Sequence, residues 1–361
     1  MLVENTKDGD KSISALPVGS KYIVLDQGGG TIDATVHEIT SDKSLKEIHQ
    51  ACGGNWGSNF INREFYDFLK EIFGKEVIIF VEENYPEDIF DLMNRFEHKK
   101  ITFDGGIVRK EERIVIPLNL IEQYKRMKGV DINEFIKKTR FAGQVIIDKD
   151  KLCIHCQLFS SFYDKTISHV MTFLERLTQK ESIQGIKTLL AVGGFSNCKL
   201  MLNAIKKKFP DFNIVVPIEA DLAVLKGAVL YAFHPESIVC RVSPYTYGVP
   251  KLMPYNPLIH PVERKKQLVP GGSPMVDDVF DKHIEIGQVI DLGKFQTEHE
   301  YFPILKDQTS VCFEFFASED KNPKFTTDDS CIRLGILHFD LVRHTPKDGR
   351  VFLKLNASGT E

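Results

Sequence analysis

The sequence predicts a mixed α/β chain in two parts, the first alternating strands with helices and the second rich in β-structure. Three observations carry this. Up to about residue 240, apolar positions switch repeatedly between a period of two and a period of 3.6. Glycines in that stretch stand where buried strands end. Beyond about 240, short strand-like segments recur between Pro, Gly and Asp turns, with no long helical pattern. The predicted boundaries are a flexible lead-in at 1–20, a first part at 21–240 and a β-rich domain at 241–361.

Each element has its own reason. Residues 1–20 are polar, with Gly, Ser and Pro near their end. Residues 21–39 alternate as two strands around a glycine turn. Residues 58–73 place Phe60, Ile61, Phe65, Phe68, Leu69 and Ile72 at helical spacing. A second helix, 86–100, opens on Pro86, whose fixed φ and missing N–H suit a first turn. Residues 107–118 read as a strand, and 121–141 as a helical pattern interrupted near Gly129. Then come a long helix at 162–177, a buried strand at 188–192 and an amphipathic helix at 199–209. A short strand at 215–217 and a helix at 222–233 complete the first part.

The 361 residues are enough to bury at least one large core. A hydrophobic share of 42% and a charged share of 27% are those of an ordinary globular chain. A net charge of -4 gives no reason to expect nucleic acid as a partner. The opening MLVENTKDGDKS has no apolar core, so no secretory signal is read there. The longest apolar runs, such as 77–81, are far too short to span a bilayer, and no membrane partner is expected. Seven cysteines, an odd number over a long chain, suit a reducing, cytoplasmic setting better than a disulfide scaffold. Cys153 and Cys156 have CxxC spacing, but no second pair lies at zinc-finger distance, and a metal site there is the weaker reading.

Three glycine-bearing segments carry the chemistry. In YIVLDQGGGTIDATV an apolar strand runs into Asp26, and Gly28, Gly29 and Gly30 follow. Ile32, Ala34 and Val36 then alternate with Asp33, Thr35 and His37, so the chain leaves the turn as a strand. A P-loop and a Rossmann fingerprint both open a helix there, and both are excluded. What remains is a β-hairpin whose tip presents consecutive backbone N–H groups to an anion. Asp26 and Asp33 stand at the two mouths of the tip, placed to hold a hydrated Mg²⁺. The second segment, TLLAVGGFSN, runs from a strand into a helix. Its Gly193 and Gly194 allow a nucleotide close to a helix N-terminus, with Ser196 or Asn197 as the cap. In the third, EADLAVLKGA, Asp221 is placed as a cap, and Gly227 and Ala228 allow close helix packing.

In order and spacing these segments resemble the actin-like ATPase superfamily. The DxGGGTxD hairpin is similar to its second phosphate loop, the strand–GG–helix to its adenosine loop, and the D-x-A-x-x-x-GA helix to the element behind it. GGNWGSNF resembles the Hsp70 segment that follows the hairpin. DQGGGTIDATVHEI, FEHKK, AVGGFSNCKLM, LKGAVLYAF, SPYTYGV and DDVFDKHI are similar to the divergent heat shock 70 kDa protein 12 subfamily. The likeness runs from about Lys21 to near the end.

The resemblance implies a fold and a set of roles. The fold is the second lobe of the actin-like, ribonuclease H-like ATPase domain, with an inserted α+β subdomain at about 76–155, followed by the β-rich C-terminal domain. The implied cofactors are ATP or ADP and Mg²⁺. Asp26 would organise the metal's water shell. Gly28, Gly29, Gly30 and Thr31 would hold the β- and γ-phosphates, with the Thr31 hydroxyl near the attacking water and Asp33 orienting that water. Gly57 joins the nucleotide-binding set through the GGNWGSNF likeness. Glu97 and Lys100, one turn apart on one helix face, would clamp the adenosine. Gly193, Gly194, Phe195 and Ser196 would line the ribose and adenine, and Asp221 would fall near the base.

Departures from the pattern matter as well. Ile101 and Asn197 stand where typical Hsp70 chaperones carry arginines, which implies weaker adenine binding. The resemblance also implies a first lobe with its own phosphate loop, yet only 25 residues precede Asp26. The chain therefore reads as a fragment, with negligible hydrolysis on its own, because phosphoryl transfer needs charge on all sides of the γ-phosphate. The β-rich part stands where such chaperones hold their peptide-binding sandwich, which makes protein clients or regulatory proteins the expected partners. Phe313, Phe315 and Phe316 read as groove residues or, more simply, as one core strand. Two other readings stay open, a nucleotide-independent interaction scaffold and a kinase of the same superfold.

Overall fold

The computed structural model describes residues 16–41, 44–267, 271–303, 308–341 and 350–356. Most of the predicted lead-in, 1–15, lies outside the described residues. The chain divides into two units, one up to Val36 and over Cys52–His234, the other over His37–Ala51 and from Pro235 onward.

Strand β1 (Lys21–Gln27) opens the first unit and turns into β2 (Ile32–Ser41), while β3 (Ser44–Gly54) returns to it. Alternation sets the buried face: Ile23 and Leu25 on β1, and Ile32, Ala34 and Val36 on β2. Helix α1 (Asn59–Phe73) buries Ile61, Phe65, Phe68, Leu69 and Ile72 at the predicted spacing. Helix α2 (Lys75–Asn84) carries a β-branched run that no local signal marks as helical. Its Val77, Ile78 and Val81 nevertheless fall on one helical face and are buried. Helix α3 (Pro86–Thr102) starts on Pro86 as expected. Its Phe96 ring stacks on Phe65, centroids 3.9 Å apart, and ties α3 to α1.

Residues 75–155 also hold a three-stranded antiparallel sheet. Its strands are β4 (Glu111–Val115), β5 (Val145–Asp148) and β6 (Lys151–His155), in the order β4-β6-β5, with helices α4 (Leu118–Lys128) and α5 (Ile132–Ile136) between β4 and β5. The strand expected over 107–118 is shorter than predicted. Gly105 and Gly106 adopt positive φ, and Asp104 Oδ1 accepts the N–H groups of Gly106 and Ile107, so the chain turns there. The helical stretch 121–141 breaks at the expected place, where Gly129 closes α4 in the left-handed region. KLCIHCQLF divides into β6 and helix α6 (Cys156–Ser161), and α7 (Asp164–Thr178) follows.

Strand β7 (Thr188–Val192) runs parallel to β1, in register from Ile23 opposite Leu189 to Asp26 opposite Val192. After helix α8 (Lys199–Lys208), β8 (Asn213–Val215) pairs parallel to β7, giving the run β2-β1-β7-β8. Parallel strands joined through helices are the α/β pattern read from the sequence. Helix α9 (Ala223–Phe233) ends the unit. Two capping expectations are corrected. Helix α8 begins after Cys198 and α9 after Leu222, and neither cap makes a side-chain hydrogen bond. Ser196 is turned inward and Asp221 lies exposed one residue too early. Of the residues of α9 only Ala223 is buried, with Gly227 half-buried and Ala228 exposed.

In the second unit, β9 (Ile238–Val242) pairs parallel with the first half of β3. Strands β10 (Thr246–Pro254) and β11 (Met275–Ile284) pair antiparallel, and β12 (Val289–Asp291) returns to pair with β9. Strand β13 (His299–Tyr301), β14 (Ser310–Ser318), β15 (Cys331–Asp340) and β16 (Val351–Leu353) follow. They complete a four-stranded sheet, β11-β10-β14-β15, and a two-stranded one, β13-β16. Phe313 is buried with Val249 and Leu353, and Phe315 packs against them, so this stretch is a core strand rather than a groove. Among the described residues no helix is long and apolar enough to cross a membrane. All seven cysteines are free thiols.

Candidate functional site

The hairpin between β1 and β2 is closed by the Gly28 N–H, which donates to the Thr31 carbonyl at 3.0 Å. Three consecutive N–H groups at the start of α1 hold the tip from behind. Gly57, Ser58 and Asn59 donate to the carbonyls of Gly30, Gly28 and Gly29 at 3.2, 3.1 and 2.8 Å. These helix-start donors have no intrahelical partner, and the glycine carbonyls satisfy them. A Cβ on Gly57 would fall 2.4 Å from the Gly29 carbonyl oxygen, so only glycine allows this approach. Gly30 faces open space, with nothing within 4 Å of where its Cβ would stand.

Asp26 is half-buried at the end of β1, while Thr31 and Asp33 are exposed. Burial, and then the charge of Asp33, push the Asp26 carboxyl above its ordinary pKa. The two carboxylates therefore feel one another across the mouth of the hairpin.

Gly193 follows β7 at φ +89 and lies against the end of β1. A Cβ there would stand 2.4 Å from Asp26 Oδ1 and 2.5 Å from the Gln27 carbonyl oxygen. Its N–H donates to the Ala220 carbonyl at 2.8 Å, which brings the exposed Asp221 to the same end of the sheet. Gly194 is exposed, with open space where a Cβ would be. Phe195 and Ser196 are buried. The Ser196 hydroxyl donates to the Val192 carbonyl and accepts from Gln27 Nε2 at 3.3 Å. These two side chains hold the loop from within.

Glu97 and Lys100 do lie one turn apart on α3, as an ion pair of 2.6 Å. The Lys100 side chain is fully buried, while that of Glu97 is 39% exposed. The ammonium also donates to Asn62 Oδ1 at 2.9 Å and to the Ser58 carbonyl at 3.3 Å, so its three protons are taken. Burial pulls the Lys100 pKa down, and Glu97 opposes that shift. Lys100 thus props the turn whose Ser58 N–H holds Gly28, which links α3 to the hairpin.

The family model described as "Domain of unknown function (DUF8340)" matches residues 19–219. The chain belongs to this family. Heat shock 70 kDa protein 12A of Homo sapiens is 34% identical over 330 residues, which cover 91% of this chain and 48% of that protein. The Mus musculus protein of the same name gives the same identity and coverage. Heat shock 70 kDa protein 12B of Homo sapiens is 29% identical over 329 residues, covering 90% and 47%. The chain spans about half the length of the curated relatives it matches. These relatives bear the name of the subfamily that the motifs resemble.

The DUF8340 match takes in every site residue named above except Ala220 and Asp221. Four residues of the site escaped sequence reasoning in their roles: Gly53, Ser58, Asn59 and Asn62. A Cβ on Gly53 would fall 2.4 Å from Asp33 Oδ1, so this glycine seats the second carboxylate. Asn62 Nδ2 donates to Glu97 Oε2 at 3.0 Å and completes the ring of contacts around Lys100. The signal for these was the run GGNWGSNF with Asn62 just beyond it, polar and glycine-rich beside a helix start.

Proposed function

We propose that this chain carries one half of an actin-like, Hsp70-type nucleotide site and binds ATP or ADP with Mg²⁺. The observation that supports this most is the meeting of two glycine loops at the ends of neighbouring parallel strands, where Gly193 leaves no space for a Cβ against Asp26. The C-terminal ends of parallel strands are where ligands of open α/β sheets bind. Backbone at Gly28–Thr31 holds the phosphates, with its carbonyls already turned onto α1. Asp26 and Asp33 hold the cation through its water shell; burial and then the charge of Asp33 raise Asp26, and a dication relieves the repulsion between the two. When bound, Mg²⁺ neutralises phosphate charge.

Gly193 and Gly194 give the ribose and base their close approach, with Phe195 and Ser196 fixing that loop and Asp221 beside it. Glu97, the exposed partner of the buried pair, meets the adenosine while Lys100 orients it. Thr31 and Asp33 position water at the γ-phosphate. No side chain between Asp26 and Asp33 is cationic, so hydrolysis draws its remaining positive charge from beyond the hairpin. Hydrolysis, protein clients and a cytoplasmic location belong in this proposal to the whole protein.

A second reading, a scaffold that no longer responds to nucleotide, is favoured by Ile101 and Asn197 in place of guanidinium groups and by the fully engaged Lys100 ammonium. Calorimetry with Mg·ATP and Mg·ADP separates the two. Micromolar binding that weakens at least tenfold in Asp26→Ala supports the nucleotide site. A folded chain that takes up neither nucleotide leaves the scaffold reading.

A further inference from the structure

Strand β11 presents Asp281 and His283 two residues apart, so both project from one face. Strand β13, in the two-stranded sheet with β16, presents His299 and Tyr301 in the same way. The two pairs meet. Asp281 Oδ2 accepts from the Tyr301 hydroxyl at 2.6 Å and lies 3.0 Å from His299 Nδ1. His283 Nε2 lies 2.8 Å from the same hydroxyl, and the two imidazoles stack with centroids 3.8 Å apart. Ligand atoms from Asp281, His283 and His299 all fall within 4.8 Å of one another.

The geometry points to a divalent transition-metal site at Asp281, His283 and His299, of the kind that takes Zn²⁺. Two imidazoles and one carboxylate are the ligand set of three-residue zinc sites that leave a fourth position to water. Mixed nitrogen and oxygen donors also select against Mg²⁺ and Ca²⁺, which take oxygen alone. A second observation is independent of the spacing. His283 is only 5% exposed, and its Nδ1 is buried without a hydrogen-bond partner, an orphan that calls for an ion or a water.

Lys251 Nζ lies 3.6 Å from Asp281 Oδ2 and is the competitor of the metal. Its side chain is 42% exposed, so it can swing into water when a dication arrives.

The test is a Zn²⁺ titration of the metal-stripped full chain by calorimetry, in excess Mg²⁺, with the Co²⁺ form read by absorption. The site requires one Zn²⁺ per chain and a Co²⁺ visible band without a thiolate charge-transfer band, since seven free cysteines are the alternative ligands. His299→Gln, a half-buried position that leaves the core intact, should weaken binding at least tenfold. Lys251→Met should tighten it severalfold, which a self-contained hydrogen-bond network does not predict. No stoichiometric uptake by the folded chain, a thiolate band, or affinity unmoved by His299→Gln overturns the assignment.

Discussion

Gly193 and Asp26 touch across two parallel strands with no room for another carbon, since a Cβ on Gly193 would fall 2.4 Å from Asp26 Oδ1. Gly193 also sits at φ +89, where side chains are strained. Gly193→Ala therefore carries both a backbone and a packing cost, together roughly 2–5 kcal/mol. Its neighbour is the control. Gly194 has ordinary φ and open space, so Gly194→Ala should change stability by less than about 0.5 kcal/mol. Urea denaturation of the two variants decides. Equal effects mean that the strand ends do not meet as described.

Asp26 should weaken the fold at neutral pH. Its pKa is raised in the folded state by burial and then by Asp33. A carboxyl so raised contributes stability below its unfolded pKa and loses it as pH rises through the folded value. At pH 7 the ionised group is thus a net cost, and Asp26→Asn should raise the melting temperature. The gain should shrink in acid, once the wild-type carboxyl is protonated. In the same variant Mg·ATP should no longer raise the melting temperature. A variant that melts lower at pH 7 contradicts the account.

The buried ion pair on α3 gives a ranking. Glu97→Ala leaves the fully buried Lys100 ammonium without an anion, the costlier way to break such a pair, at about 3–5 kcal/mol. Lys100→Met keeps the aliphatic volume and leaves Glu97 where water reaches it. Its cost is the lost donors to Ser58 and Asn62, about 1–3 kcal/mol. Denaturation midpoints should fall in the order wild type, Lys100→Met, Glu97→Ala. A reversed order would mean that Lys100 is hydrated in solution.

Much of this was legible locally because the deciding contacts are local. Alternation after Gly30 alone distinguishes a hairpin from a helix-opening phosphate loop, and β7 runs over the residues whose apolar run predicts it. Other elements depend on distant partners. Strand β3 buries only Glu47, whose Oε1 accepts from the Val242 N–H at 3.3 Å, so its sequence shows no apolar alternation. Helix α2 looks like a strand until Val77, Ile78 and Val81 find a core. The cap expected at Asp221 failed because α9 starts one residue later. At the site, the glycines were readable from spacing, whereas the engagement of Lys100 by Ser58 and Asn62 was not, since it joins residues about forty apart. The Asp281, His283 and His299 cluster needs two sheets to come together, and no spacing rule reaches across them.

Acid should unfold the second unit through His37. Burial, then the charge of Arg241, lower this imidazole to about 4, against about 6.5 in the unfolded chain. A base with a depressed folded pKa contributes stability above its unfolded value and loses it as pH falls toward the folded one. Between pH 6.5 and 4 the unfolded chain binds a proton that the folded chain refuses. Stability then falls by up to about 1.4 kcal/mol per pH unit, and by about 3 kcal/mol over the window. His37→Gln removes this proton from the balance while other groups titrate unchanged. Denaturation midpoints of both proteins at pH 7, 6 and 5 should therefore converge as pH falls, with the wild type losing more. Parallel lines would show that His37 takes up its proton in the folded state and that its burial is not as described.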